Sequence, residues 1–339
     1  MLAAPRVRMS LLVQPRLIND PFGDPGLYLD FRFGRRGMLF DLGDTSPLSP
    51  RELIRVSHAF VSHAHMDHVA GLDRLLRLRL HRPRPLALLG PRGFVDQIEQ
   101  RLGSYSWNLL DETSVDFRLS VEAFDDVKGR IEEAAEFRAR DRFRRRKLEP
   151  PLRGEGTVLA DPDFEVRAVA LDHGIPSLAF AFRQRRRINV WRSALDEMGL
   201  PVGSWIDAAK RAAREGLPDD HLIDVPTAGQ VPLGVLRSRA FRCEQGQRFA
   251  YVADAADTPD NRSRIIELAR DADQLFIEAP FAETDREIAA ATRHLTARAA
   301  GEIAQAARVK RVHPFHFSAR YGGDPTPLTV ETEAAFSSA

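Results

Sequence analysis

The sequence predicts a layered α/β fold, and two observations carry that expectation. Short apolar runs rich in β-forming residues recur along the chain, and segments of helical periodicity lie between several of them. The composition, 43% apolar and 29% charged over 339 residues, is that of an ordinary globular protein long enough to bury a large core. The strand-like runs are Gly37 to Leu42, Ala59 to Ser62, Leu86 to Leu89, Phe164 to Leu171, Ser177 to Phe182, Phe249 to Ala253, Gln274 to Glu278 and Val309 to Phe317. Helix-period segments cover Arg92 to Leu102, after the turn signal Gly90-Pro91, then Asn261 to Arg270 and Thr296 to Ala307. Alternation of the two kinds stacks helices on sheets.

A single domain over residues 1–339 is expected, with insertions at about 121–148 and 183–239. The first reads as charged and helix-prone and ends in Arg138, Arg140, Arg142, Arg144, Arg145, Arg146 and Lys147. Such a run is ordinarily a solvated helical face; its other use is to line a phosphate backbone. The second carries Arg185, Arg186, Arg187 and Arg192 at its start, followed by short helices punctuated by Pro and Gly. It is too short to bury much by itself and reads as an excursion between two core strands.

The formal charge of +1 gives no global case for nucleic-acid binding and leaves only local basic faces to argue from. Cys243 is the only cysteine. An intramolecular disulfide or a site built of several thiolates is therefore excluded, Cys243 itself reads as an inert small residue, and a reducing compartment fits. The apolar run Met9 to Val13, beside Arg6 and Arg8, is broken too early for a signal-peptide core or a membrane span. A cytoplasmic protein with no membrane partner is expected.

The sharpest local signal is Ser62-His63-Ala64-His65-Met66-Asp67-His68, directly after the strand-like Ala59-Phe60-Val61. Residues two apart on extended backbone point the same way, so His63 and His65 can grip one metal ion together. As the chain turns into a helix near Val69, Asp67 and His68 can reach a second ion. Two ions need more ligands than one loop offers. His173 closes a strand in Leu171-Asp172-His173-Gly174, Asp254 ends the apolar Tyr251-Val252-Ala253, and His316 ends another strand in His313-Pro314-Phe315-His316. A carboxylate at the end of an apolar strand is costly unless paired or coordinated. Each of these residues alone suits a hydrogen-bonded strand end; with the first loop they form a set. His58, His81, His221 and His313 lack such company and read as surface or satisfied core residues.

In the order of these motifs the chain resembles the metallo-β-lactamase superfamily, and within it the ribonuclease Z branch. The likeness also rests on Gly37 to Gly43 leading to an acidic residue, Leu88-Leu89-Gly90-Pro91-Arg92-Gly93, Leu200-Pro201-Val202-Gly203, Thr258-Pro259-Asp260-Asn261, Phe276-Ile277-Glu278-Ala279-Pro280-Phe281, His294-Leu295-Thr296-Ala297 and His316-Phe317-Ser318-Ala319-Arg320-Tyr321. It implies a four-layer αβ/βα sandwich. It implies that His63, His65 and His173 hold one metal, that Asp67, His68 and His316 hold the other, and that Asp254 bridges them. The ions would be two divalent cations, zinc first, with manganese or iron as alternatives. His294 is implied as a proton donor, and the family is commonly dimeric. The chain departs from the branch at Gly43-Asp44-Thr45-Ser46-Pro47, at Ile277-Glu278-Ala279-Pro280 and at Ala255, and the glycine-rich arm of tRNA-processing members is not evident in 183–239.

The expected activity is hydrolysis of a phosphodiester, with RNA or precursor tRNA as substrate, by a metal-bridging hydroxide. Asp67, His294 and Glu278 are the expected catalytic residues, with Glu278 orienting His294. Two other classes stay open: a hydrolase of a small ester, thioester, lactone, sulfate or cyclic nucleotide on the same fold, and a non-catalytic nucleic-acid-binding scaffold.

Overall fold

The computed structural model describes residues 12–32, 35–185, 187–226 and 228–338. Arg6, Arg8, Arg186 and most of the run Met9 to Val13 lie outside the described residues, as does the side chain of Cys243. Two compact units are present, one of residues 1–183 with 247–339 and one of residues 184–246.

The larger unit is built on two sheets. The first holds β1 (Val13–Leu17), β2 (Leu27–Phe31), β3 (Gly37–Phe40), β4 (Val56–Phe60), β5 (Leu86–Pro91), β6 (Arg118–Asp125), β7 (Arg130–Arg138) and β8 (Arg145–Leu148), in that spatial order. Strands β3 to β6 run parallel and the flanking pairs are antiparallel. The second sheet takes β9 (Thr157–Ala160), β10 (Phe164–Asp172) and β11 (Pro176–Gln184) from before residues 184–246. Beyond that segment it takes three more strands, Arg248–Val252, Gln274–Glu278 and Val312–Phe315, which pair in parallel.

Alternation along the strands decides the layers. On β3, Met38 and Phe40 point into the core between the sheets, while Leu39 joins the core under the outer helices. On β11, Leu178, Phe180 and Phe182 face inward and Ala179 and Ala181 outward, toward Ile265 and Ile303 on the helices Pro259–Ala269 and Ala297–Ala306. Period-two side chains thus give each sheet one face for its partner sheet and one for helices. The result is the helix, sheet, sheet, helix order that the family resemblance implied. The seam is aromatic: Phe40 stacks on Phe180 at 5.2 Å and Phe182 on Phe249 at 4.8 Å between ring centroids.

The charged stretch 121–148 differs from expectation. It is not helical but supplies β6, β7 and β8. Its apolar residues alternate, as Leu119, Val121 and Ala123 do on β6, and this period of two outweighed the helix propensity of the intervening Glu and Arg. Its cations are largely engaged. Arg138 donates to Asp116 at 2.7 Å, Arg145 binds Asp96 at 2.6 Å and Glu99 at 2.9 Å, and Arg140 and Arg142 donate to the carbonyls of Ser114 and Leu110.

The smaller unit buries more than its length suggested. β12 (Arg187–Val190) pairs with Phe241–Glu244, and β13 (Leu222–Val225) with β14 (Gly229–Pro232). With helices Arg192–Glu197, Trp205–Arg214 and Leu233–Arg239, they enclose a core of their own around Leu195, Trp205, Ile223, Leu233 and Phe241. The remaining strands, in chain order, are β15 (Phe241–Glu244), β16 (Arg248–Val252), β17 (Gln274–Glu278) and β18 (Val312–Phe315).

Candidate metal centre

The C-terminal ends of β4, β10, β16, β17 and β18 meet at one edge of the larger unit, where α/β sheets ordinarily place their chemistry. After β4 the chain stays extended through His63 and His65, whose rings lie 4.3 Å apart. His65 then starts the short helix Met66–Val69 as its N-cap, and that helix brings the His68 ring to 4.1 Å from His63 while it carries Asp67 toward His316. Gly43 permits this turn, because a Cβ there would stand 2.5 Å from the Asp67 carbonyl. Gly174 behind His173 has φ of 82°, so it allows the tight turn between β10 and β11 rather than simply leaving open space.

The distant residues converge on the loop. His63, His65, His173 and Asp254 bring one ligand atom each within 4.8 Å of one another, and Asp67, His68 and His316 do the same. Asp254 divides its carboxylate between the groups. Its Oδ2 lies 3.6 Å from His63 Nε2 and 3.4 Å from His173 Nε2, whereas its Oδ1 lies 3.4 Å from His68 Nε2 and 3.0 Å from His316 Nδ1. Asp67 Oδ2 closes the second group, 3.5 Å from His68 Nε2 and 3.3 Å from His316 Nε2. Tetrahedral ligands at about 2.0–2.1 Å from an ion stand about 3.3–3.4 Å from each other, so these separations match the edges of a coordination polyhedron.

The polar atoms facing these two positions support the same fit. Among the described residues, His63 Nε2, His68 Nε2, Asp254 Oδ1 and His316 Nδ1 are buried with no hydrogen-bond partner. Buried polar atoms left without partners are costly, and a cation at each position is what such nitrogens and a carboxylate oxygen would share. The opposite ring nitrogens are held. His68 Nδ1 donates to Asp41 Oδ2 at 2.9 Å, His173 Nδ1 to the Arg293 carbonyl at 2.8 Å, and His63 Nδ1 to Ser62 Oγ at 3.0 Å. Fixing Nδ1 as the donor leaves Nε2 with its lone pair toward an ion. Imidazole and carboxylate together suit divalent first-row metals.

Beside the second group, Glu278 is fully buried and both its oxygens are used. Oε1 accepts from the backbone of Ala255 at 2.8 Å and of Leu295 at 3.2 Å, and Oε2 accepts from His294 Nδ1 at 2.7 Å. Asp254, Glu278, His294 and His316 also cluster closely. Glu278 thus meets the Nδ1 side of His294, whose ring lies 4.9 Å from that of His173 and 5.8 Å from that of His316.

No family model matches the chain. It is 28% identical over 318 residues to the ribonuclease Z of Deinococcus radiodurans, covering 91% of each chain. It is 29% identical over 310 residues to that of Natronomonas pharaonis, covering 88% of this chain and 83% of the relative. In structure it is similar to the metallo-β-lactamase fold protein YhfI of Bacillus subtilis, with a TM-score of 0.56 at 14% identity over 96% of this chain and 93% of the other. It is also similar to the short form of human tRNase Z, with a TM-score of 0.50 at 17% identity over 91% and 92%.

The chain has the metallo-β-lactamase fold. The resemblance read from the sequence holds, and the curated relatives named here are ribonucleases Z.

In this metallo-β-lactamase-fold centre, charge is arranged around the carboxylates. Burial would raise Asp254, but His316 and His68 hold it well below the usual carboxylate range. Burial likewise opposes ionisation of Asp67, yet the His316 hydrogen bond and His68 bring it down to about 2. His68 is disfavoured as a cation by burial, and Asp41 and Asp254 outweigh this to raise it to about 10. Burial and the neighbouring His68 push His63 down to about 2, keeping that ring neutral. Cationic His68 and His316 balance these two carboxylates here, and divalent cations would balance them with every ring neutral.

One participant escaped the reading of the sequence. Asp41 is wholly buried just beyond β3 and accepts from Ser62 N at 2.7 Å, Ser62 Oγ at 2.9 Å, His68 and the Tyr251 hydroxyl. Its backbone is left-handed, with φ of 58°, a conformation that other residues around it must enforce. The signal was available: Met38-Leu39-Phe40-Asp41 is a carboxylate closing an apolar strand, the same pattern that singled out Asp254. Of the leftover histidines, His313 stacks on Phe276 at 4.8 Å and lies 3.1 Å from Gln274 Oε1, and His58 Nδ1 lies 3.0 Å from Ser57 Oγ.

Proposed function

We propose that the chain is a binuclear-metal endoribonuclease of the ribonuclease Z kind that hydrolyses a phosphodiester in RNA, with precursor tRNA as its substrate. One observation carries the reading: Asp254 turns one oxygen to each of two histidine-rich groups, beside a histidine backed by a buried glutamate. In this reading His63, His65 and His173 would hold one ion and Asp67, His68 and His316 the other, with Asp254 available to both. Zinc is the ion proposed, because imidazole-rich sets with carboxylates suit it.

When bound, a pair of such cations supplies Lewis acidity toward a phosphoryl group and lowers the pKa of water. The chain's own residues do the rest. Asp67 and Asp254 set the negative charge that fixes the ions. His294 presents Nε2–H to the departing ribose oxygen, while Glu278 holds Nδ1–H and keeps the ring charged longer as pH rises. A positioned acid of this kind contributes roughly 10²–10⁴-fold. The solitary Cys243 suits the cytoplasm proposed for it, and the homodimer expected from the resemblance is checked by sedimentation.

The deciding experiment compares a precursor tRNA carrying a 3′ trailer, an aryl phosphodiester and simple esters as substrates for the zinc-loaded full chain. Cleavage of both phosphodiesters, with a single cut at the base of the acceptor stem, supports the proposal. Turnover of esters alone would replace it with a small-molecule hydrolase, and no turnover with zinc bound would leave a scaffold.

A further inference from the structure

β4 has a second unusual neighbourhood at its other end. A cavity of about 780 Å³ there is lined by seven arginines and one histidine, His81. Arg32 and Arg35 enter it from beyond β2, and Arg51 and Arg55 from the helix Pro50–Arg55. Arg79 closes the helix Leu72–Arg79, and Arg82 and Arg84 follow on the turn into β5. Val56, where β4 begins, is seven residues before His63, about 23 Å along an extended chain, so the cavity and the metal centre are separate.

The rest of the chain shows why this grouping is exceptional. Acidic and basic residues are nearly equal in number, and elsewhere many arginines pair, as Arg36 does with Asp161, Arg153 with Glu122, and Arg262 with Asp257 and Glu302. Among the described residues, the cavity's arginines have one carboxylate partner, Asp30, at 3.0 Å from Arg55. Arg79 is 1% exposed and its guanidinium donates to carbonyls alone, Ile54 at 2.8 Å and Val56 at 2.5 Å through Nη1 and Arg84 at 2.6 Å and Pro85 at 2.9 Å through Nη2, with the Phe117 ring 6.0 Å away. Carbonyls satisfy its hydrogen bonds without neutralising its charge. Burial, then Arg84 and Arg82, lower its pKa to about 10. The buried Nε atoms of Arg55 and Arg79 have no hydrogen-bond partner at all.

A surplus of like charge converging on one concave space repels itself, and an anion offsets that cost. We propose that this cavity binds a compact polyphosphate, a chain of linked phosphate groups that is either free or carried by a nucleotide. Guanidinium groups match phosphate oxygens in bidentate pairs, which favours phosphate over other anions. The cations gather about one open concavity instead of along a track, which favours a short phosphate chain over an RNA backbone. The site is independent of the hydrolytic reading above.

Titration calorimetry of the full chain at physiological salt tests this, with inorganic tripolyphosphate, ATP and citrate as probes. Tripolyphosphate is expected to bind saturably at one per chain, and citrate at least tenfold more weakly. Equal affinity for ATP identifies the phosphate chain as the whole ligand, and tighter binding of ATP identifies a nucleotide as the source. The exposed pair Arg51→Glu and Arg82→Glu should weaken binding at least tenfold, with Arg51→Lys and Arg82→Lys less affected and aryl phosphodiester hydrolysis unchanged in both. The proposal is overturned if no saturable binding occurs, if citrate binds as well, or if the glutamate variant binds as the parent does. It is equally overturned if His63→Ala abolishes tripolyphosphate binding, which would place the anion at the metal centre, or if only a tRNA-sized RNA shows dependence on Arg51 and Arg82.

Discussion

The Tyr251 hydroxyl donates a 2.9 Å hydrogen bond to Asp41 Oδ2, joining the strand that leads to Asp254 with the carboxylate that orients His68. Asp41 thereby ties the two sheets together at the metal centre. Replacing it by asparagine keeps the volume but removes the charge and half of the acceptor capacity for four donors. Asp41→Asn is expected to weaken metal binding about 10–100-fold, as loss of a carboxylate behind a ligating histidine typically does. Competition with a chromogenic chelator measures this. Tyr251→Phe, which removes one donor, should cost about 1 kcal/mol of stability and leave metal affinity within a few-fold. Unchanged affinity in Asp41→Asn would remove Asp41 from the metal centre.

Among the described residues Asp254 is the one that turns an oxygen to each group, and its loss should be felt by both. Asp254→Asn is expected to retain fewer than two metal equivalents and to lose at least about 10³-fold in phosphodiester hydrolysis, because the paired-ion arrangement no longer forms. Metal content by elemental analysis separates this from a defect in chemistry alone. A variant with two ions and parental activity would show that the bridge is dispensable. Chelation of the parent should also lower its unfolding temperature, since ions bound to the folded state alone add stability by mass action.

The aromatic seam between the sheets supplies a stability prediction. Phe180 is fully buried and meets Phe40 at 5.2 Å and Phe60 at 5.7 Å between ring centroids. Phe180→Ala is expected to destabilise by about 3–5 kcal/mol, through lost transfer energy and the cavity left behind. Phe180→Leu should recover most of that. Denaturant unfolding followed by circular dichroism reads both, and a loss under about 1 kcal/mol from the alanine variant would mean the seam is not packed as described.

Much of this centre was legible because its residues break a local rule. Asp254 is a charge closing an apolar strand and His63 to His68 crowd ligands into one turn, so both stand out without any knowledge of contacts. Strand ends were read where β-branched and aromatic residues alternated, as in β10 and β11. β1 and β2 were missed because Val13–Leu17 and Leu27–Phe31 are short, with Pro15 and charged residues between the apolar ones. β6 to β8 were misread because Glu and Arg on the solvent face hid a period of two. The independent core of residues 184–246 was illegible for a different reason. Trp205, Ile223 and Phe241 come from separate short elements, and nothing local announces that they meet.

The pairing of Glu278 with His294 sets the last prediction, and its sign follows from which form the pair favours. Burial would lower the His294 pKa, but the Glu278 carboxylate raises it above the ordinary histidine value, so the protonated ring survives to higher pH than a free imidazole. If His294 gives its proton to the leaving oxygen, the rate falls on the alkaline side as that proton is lost, and the fall begins above the usual imidazole range. Glu278→Gln removes the stabilising anion. The alkaline limb of kcat/KM should then move to lower pH, and the rate at neutral pH should drop by about 10-fold or more, within the 10²–10⁴-fold ceiling set by deleting the acid itself. His294→Ala should lose activity mainly toward substrates with a poor alkoxide leaving group and far less toward an aryl phosphodiester, whose leaving group needs no proton. Metal content should be unchanged in both variants, since neither side chain belongs to the two ligand groups proposed. An alkaline limb that stays in place in Glu278→Gln, with both metals bound, would show that the histidine does not deliver the proton.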